Sequence, residues 1–262
     1  MLPIFGELSE PAAVAALATQ AEAAGWDGVF VWDHMAYRPP VVDIADPWVT
    51  LAAIACATQS VRIGPMVTPP ARRRPLKLAR EVTTLDRLSD GRVILGVGLG
   101  GDPGRELSAL GEETDAVARA QRFDEALTVM EAAWRGGVVD HIGPSFVVDR
   151  LEIGPPPRQR PRPPIWVGAR YPNRRPLRRA ARYEGLFPVQ VTAPEQLAEM
   201  VAATHALRAD DAGPLDVAIS FPDGTDPRPY ADAGATWWLV GFSPFDVVVD
   251  EVSAVIENGP PR

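Results

Sequence analysis

Few side chains in this sequence can carry chemistry at neutral pH: three histidines, one lysine and one cysteine among 262 residues. His34, His141 and His205 lie far apart, with no H-x-H or H-E-x-x-H spacing, so no metal centre is expected. A Schiff-base amine could come only from Lys77. His34 is the most informative residue, because an imidazole exchanges protons near neutral pH and the neighbouring Asp33 is a candidate partner. The competing reading is a histidine hydrogen-bonded for structure alone. Gly96-Val97-Gly98-Leu99-Gly100-Gly101 matches G-x-G-x-x-G, on its face a dinucleotide fingerprint. The segment DPGREL (Asp102 to Leu107) follows where a helix should open, however, so we read the glycines as a bare strand end. Without side chains there, a flat ring or a phosphate can approach the backbone. Arg170 follows Gly168 and Ala169, and a helix start near Pro172 offers backbone N–H groups, which together suggest a phosphate cradle. The runs Arg72 to Arg74, Arg158 to Arg162 and Arg174 to Arg182 read mostly as solvated faces.

Such residues act together only if a scaffold gathers them. Seven short apolar runs read as buried strands: Asp27 to Trp32, Arg62 to Val67, Arg92 to Val97, Ile165 to Gly168, Gly185 to Val189, Asp216 to Ser220 and Thr236 to Val240. Helical patterns lie between them. Ser9 to Ala24 begins on a capping residue, Asp46-Pro47 is an N-cap followed by a first-turn proline, and Gly91 closes the helix Pro75 to Ser89. Phe123, Leu127, Met130 and Trp134 share one helix face, Pro194 to Arg208 and Pro244 to Glu257 supply two further helices, and Pro172 to Arg182 a short one. Strand then helix throughout implies an α/β chain with a parallel sheet, a TIM (β/α)8 barrel. Seven strands leave it one short. Met1 to Phe5 is read as the C-terminal end of a first strand whose beginning is missing, and Gly136 to Pro164 as a hairpin inserted after the fourth strand. In a parallel barrel the chemistry sits at the C-terminal strand ends, which is where Asp33, His34, Met66, Val67, Thr68, Gly98, Gly168, Ala169 and Arg170 fall.

The length suits one barrel, so residues 1–262 are read as a single domain with an insertion at about 136–164. Acidic residues outnumber basic ones, 34 to 26, and the net charge of -8 repels phosphate backbones and anionic membranes, so no nucleic-acid partner is expected. No stretch has the length and apolarity of a membrane span, and Met1 to Pro11 has no export-signal pattern, so the chain is expected in the cytoplasm. Cys56 lies in the apolar run Leu51 to Ala57 and is expected to be buried.

Four segments, AEAAGWDGVFVWDH (Ala21 to His34), Asp46 to Gly100, IWVGARYPNRRPLRRAARYEGLFP (Ile165 to Pro188) and AGATWW (Ala233 to Trp238), resemble the bacterial luciferase-like monooxygenase superfamily. The resemblance implies an eight-stranded barrel with an inserted segment, binding FMN or the deazaflavin coenzyme F420 at its strand ends. It matches Asp33-His34 with a pair near the reactive ring, and Met66-Val67 with a non-prolyl cis peptide that backs the ring. It also matches Gly98 with the strand along the cofactor, Gly168, Ala169 and Arg170 with a phosphate-side loop, and Arg122 with an arginine that reaches the phosphate.

The expected function is therefore a flavin- or F420-dependent oxidoreductase or monooxygenase acting on a small organic substrate, with His34 as proton donor or acceptor assisted by Asp33. Two alternatives are a cofactor-binding or structural relative that has lost turnover and a nicotinamide-dependent dehydrogenase, the latter requiring an open doubly wound sheet. A homo-oligomer is left open.

Overall fold

The computed structural model describes residues 1–261. Nine strands lie along them: β1 (Gly28–Val31), β2 (Arg62–Pro65), β3 (Leu95–Val97), β4 (Gly137–Ile142), β5 (Val147–Ile153), β6 (Ile165–Arg170), β7 (Gly185–Val189), β8 (Asp216–Pro222) and β9 (Trp237–Gly241). Each of the seven apolar runs falls on one of the parallel strands, though β6, β8 and β9 run one or two residues past the expected ends, and β4 and β5 form the expected antiparallel hairpin. β1 pairs with β2, while β3, β6, β7, β8 and β9 pair in that order. Single parallel bridges, Ile63 to Val93 and Thr68 to Val97, carry the order from β2 to β3. A curled parallel sheet results, and the open doubly wound sheet that a nicotinamide dehydrogenase required is not its form.

Residues alternate across the sheet, so each strand feeds two cores. One contains Phe30, Met66, Ile94, Trp166, Phe187, Ala218 and Leu239, drawn only from strands and their flanks, and therefore fills the inside of the curl. The larger core joins the other strand face to the helices. The helices are α1 (Pro11–Ala23), α2 (Pro47–Ala57), α3 (Pro75–Leu88), α4 (Ala116–Arg135), α5 (Arg175–Ala180), α6 (Pro194–His205), α7 (Arg228–Asp232) and α8 (Val249–Glu257). Asp46 caps α2 as expected, its Oδ1 accepting from the amides of Trp48 and Val49 at 2.9 Å each. Gly91 follows α3 at φ +86°, and Phe123, Leu127, Met130 and Trp134 are all buried on α4.

Several expectations need correction. Ser9 does not cap α1. It ends a 3-10 turn over Gly6–Ser9 with its hydroxyl donating to the Gly6 carbonyl, and Glu10 takes the cap position without a side-chain bond. α8 starts at Val249 rather than Pro244, and α5 is trimmed to six residues, so no long helix opens at Pro172. Cys56 is exposed, because the buried face of α2 is carried by Leu51, Ile54 and Ala55 and position 56 turns outward.

Met1 to Phe5 forms no full strand: Leu2 makes a single parallel bridge to Val31, and the first two residues link the two ends of the curl. The Leu2 amide donates to the Phe30 carbonyl (2.8 Å), the Trp32 amide donates to the Leu2 carbonyl (3.0 Å), and the Met1 nitrogen donates to the Val240 carbonyl (2.7 Å). Beside this narrow link an apolar groove separates β1 from β9, walled by Val29, Trp238, Leu239 and, from α1 and α8, Leu17 and Val252.

Candidate active site

Asp33 and His34 emerge just past the end of β1 and part company there. Neighbouring residues of an extended segment point in opposite directions. Asp33 turns into the protein, where it is 3% exposed. Its carboxylate accepts from Thr68 Oγ1 (2.5 Å), Arg72 Nη2 (2.9 Å) and Arg73 Nη2 (2.7 Å). His34 turns to the other side. Its Nδ1 lies 2.9 Å from Glu106 Oε1, so the expected Asp33–His34 partnership is corrected: the carboxylate serving the imidazole is Glu106. Arg72 links the two acids, donating from Nη1 to Glu106 Oε2 (2.5 Å) and from Nη2 to Asp33.

Local sequence explains how Glu106 arrives there. Asp102 Oδ1 accepts from the amides of Leu107 and Ser108 and folds the loop after β3 back on itself. Gly104 lets that loop lie on the Tyr37 backbone, since a Cβ at this position would stand 2.5 Å from Tyr37 Cα. Burial pushes the Glu106 carboxyl up, but the hydrogen bond and charge of His34, the charge of Arg72 and the Met35 amide outweigh it and hold the group below its ordinary value. Glu106 is therefore a carboxylate, which can only accept, and His34 donates to it through Nδ1. Nε2 is then the imidazole nitrogen left to exchange a proton. Phe5, Trp32 and Tyr37 surround the ring at centroid distances of 6.0, 5.8 and 5.0 Å, and the Trp32 indole N–H is buried without a partner.

The remaining strand-end residues form a second group. The Met66-Val67 peptide is cis, where the resemblance implied one. Val67 nests between two glycines: a Cβ on Gly98 would come within 2.5 Å of Val67 Cγ2, and one on Gly168 within 3.5 Å of Val67 Cγ1. Thr68 is fully buried and joins this group to the first through Asp33. Ala169 is buried beside Gly168, while Arg170 ends β6 exposed and without an ion pair among the described residues. Arg122, on α4, places its guanidinium 5.1 Å from the Phe146 ring of the hairpin, with Nε buried and unpartnered. A bare-edged strand end beside an unpaired arginine, together with an orphaned guanidinium nitrogen, suits a flat cofactor with an anionic tail. The short α5 contributes no helix dipole to that cradle, which leaves Arg170 and the strand end to form it.

Glu106, Arg72 and Arg73 escaped the sequence reading, as did the aromatic partners Phe5 and Tyr37. Arg72 was taken for a solvated side chain, yet that side chain is only 3% exposed. The signal for Glu106 was its place in the loop after a strand end, the same criterion that found His34.

Comparison with known proteins bears on this geometry. The family model described as luciferase-like monooxygenase matches residues 5–224. The phthiodiolone/phenolphthiodiolone dimycocerosates ketoreductase of Mycobacterium bovis is 35% identical over 172 residues, covering 64% of this chain and 43% of that protein. The chain thus spans less than half the length of that curated relative. Among solved structures, an F420-dependent secondary alcohol dehydrogenase in complex with an F420-acetone adduct superposes with a TM-score of 0.79 at 20% identity, over 96% of this chain and 94% of that one. The FMN-bound oxygenating constituent of 3,6-diketocamphane monooxygenase from Pseudomonas putida gives a TM-score of 0.71 at 20% identity, over 85% and 64% of the two chains. These two likenesses are of fold. The extent of the family match, over a chain whose strand ends gather His34, Val67, Gly98 and Gly168, shows that this protein belongs to the luciferase-like monooxygenase family.

Proposed function

We propose that the protein is an oxidoreductase that uses FMN or coenzyme F420 to transfer hydride to or from a small organic substrate, or to oxygenate it. One observation carries this reading: His34 has Nδ1 tied to a buried carboxylate and its ring walled by aromatic side chains at the strand ends, so Nε2 is the proton-exchanging atom of the site. The bound cofactor would supply the hydride chemistry. The chain positions and protects. Met66, Val67 and Thr68 with Gly98 would back the ring, and Gly168, Ala169 and Arg170, together with Arg122, would hold the phosphate end. Glu106 fixes the imidazole so that Nε2 takes a proton from a substrate oxygen, or returns one. Asp33 is a positioning residue acting through Arg72, Arg73 and Thr68 rather than on His34 directly. The finer fold reading that accompanies this function is a (β/α)8 barrel with a hairpin inserted after its fourth strand and Met1 to Phe5 as the remnant of its first.

Two measurements test the reading. Titrating the purified protein with FMN and with F420 should shift the visible absorption band of one of them, and silence toward both would sink the proposal. His34→Ala should then lower turnover roughly 100-fold, about 2.7 kcal/mol, with cofactor affinity nearly unchanged. Weakened cofactor binding with turnover per bound cofactor preserved would instead make His34 a residue that merely holds its loop.

A further inference from the structure

At the opposite end of the parallel sheet from His34, beneath the N-terminal ends of β6 and β7, lies a cavity of about 340 Å³ lined by Glu131, Arg135, Pro161, Arg162, Arg182 and Tyr183. On the basis of roughly 30 Å³ per liquid water it has room for far more than one solvent molecule. Three guanidiniums line it with the Glu131 carboxylate, and Glu184 pairs Arg162 from just outside, which leaves one net positive charge in a chain whose net charge is -8. Arginine stays protonated under all ordinary conditions, so this excess does not titrate away.

The pairing pattern is incomplete. Arg162 donates to Glu184 at 2.8 Å and stands 3.7 Å from Glu131, outside hydrogen-bond range of the carboxylate in the wall. Arg135 and Arg182 have no carboxylate within 4.0 Å among the described residues. The Tyr183 ring is flanked by Arg162 at 5.1 Å and Arg182 at 5.5 Å, so two like charges are held against one aromatic side chain. Tyr183 itself is 2% exposed, and its buried hydroxyl makes no hydrogen bond of good geometry, the Glu131 carboxylate being the nearby acceptor. Burial, with the charge of Glu131, pushes that hydroxyl well above its ordinary value and keeps it a donor. A buried donor held off good hydrogen-bond geometry is costly, and repelling guanidiniums add to the cost. One ligand relieves both.

We propose that this cavity is a binding site for a phosphate-type oxyanion, held by Arg135, Arg162 and Arg182 with the Tyr183 hydroxyl, and separate from the strand-end site around His34. Forked guanidiniums suit the tetrahedral oxygens of such a group, and Arg135 and Arg182, which no carboxylate pairs among the described residues, are free to turn their forks to it.

Equilibrium dialysis of the full chain against radiolabelled inorganic phosphate, at ionic strength fixed with sodium chloride, tests the proposal. Wild type should bind phosphate saturably at this site, and the double variant Arg135→Gln/Arg182→Gln should bind it at least tenfold more weakly. Both arginines are exposed, so the variant should keep its fold, which its melting curve in chloride alone would verify. Tyr183→Phe should weaken binding several-fold, and Glu131→Gln should tighten it. Arg170→Gln serves as the control at the strand-end site. No saturable binding above that in chloride, or binding untouched by the double variant and abolished by Arg170→Gln, overturns the proposal. Neither result bears on the cofactor spectra, which report the other site alone.

Discussion

Two buried arginines near opposite ends of the curled sheet make an instructive pair. Arg92, 8% exposed, donates from Nε to the Ser89 carbonyl, from Nη1 to Thr58 Oγ1 and the Val61 carbonyl, and from Nη2 to the carbonyls of Ala55 and Thr58. All five of its N–H groups end on neutral acceptors, and the network is closed. The Arg72 side chain is buried too, yet it divides its hydrogens between two carboxylates and the Asp33 carbonyl and leaves Nε without a partner, as does Arg73 beside it. The Arg72 network is open: it reaches His34 through Glu106 and stops at a nitrogen with capacity to spare. Saturated polar networks fix loops to helices. Unsaturated ones at strand ends leave groups that a ligand can use, and that difference separates stability from function in this molecule.

The comparison can be broken by cutting each network. Arg92→Met should cost the most, on the order of 4 kcal/mol, because it strands several buried carbonyls at once. Urea denaturation of the purified variant measures it, and a loss under about 1 kcal/mol would mean that the closed network is not a stabilising one. Glu106→Gln keeps the shape of the open network but removes its charge, so turnover should fall roughly tenfold while the melting temperature moves little. A variant that melts early but turns over normally would put Glu106 on the structural side of the divide.

The groove between β1 and β9 sharpens the contrast, since there the unsaturated groups belong to the backbone. Extending the N-terminus by roughly 5 to 10 β-prone residues, about one ordinary strand, should pair those edges and raise the melting temperature. Equal melting of extended and present chains would show that the groove does not want a strand. The smallest effect is expected at Glu22, whose carboxylate accepts from the amides of Gln59, Ser60 and Val61 and from the Ser60 hydroxyl. Burial is the largest single influence and raises it, but the hydrogen bonds together outweigh it and push the group down to about 2 from 4.5. A lowered carboxyl stabilises the fold fully above its ordinary pKa and loses that contribution as pH falls toward the depressed value. Glu22→Gln should therefore flatten the acid limb of stability between about 4.5 and about 2, which a series of urea curves over that range would reveal.

Sequence patterning made the seven parallel strands legible because each is short and largely apolar, and most are followed by a helix start with a recognisable proline or acidic cap. His34 was legible for the same reason: a strand end announces where its side chain must go. Glu106 was not, because the Asp102–Leu107 loop has no periodicity and reaches His34 only through a glycine contact and an aspartate turn that are tertiary facts. Asp33 misled because adjacency in sequence was taken for adjacency of side chains, which extended backbone forbids. Arg72 misled because burial of an arginine depends on partners 34 and 39 residues away. Cys56 was misjudged for a simpler reason. An apolar run on a helix has an outer face too.

The link made by Met1 and Leu2 also sets an order of events during synthesis. Leu2 can find Phe30 early, but the Met1 nitrogen bonds to Val240, 239 residues further along the chain. At about 5–20 residues per second, the ribosome needs roughly 12–50 seconds to make that partner. Throughout that interval β1 carries a single two-residue contact on its outer edge and β9 does not yet exist, so the nascent sheet is an arc with an exposed rim. Closure is a late, long-range step of the kind that slows folding, and the growing chain depends on its surroundings to keep that rim from pairing with a neighbour before the last strand arrives.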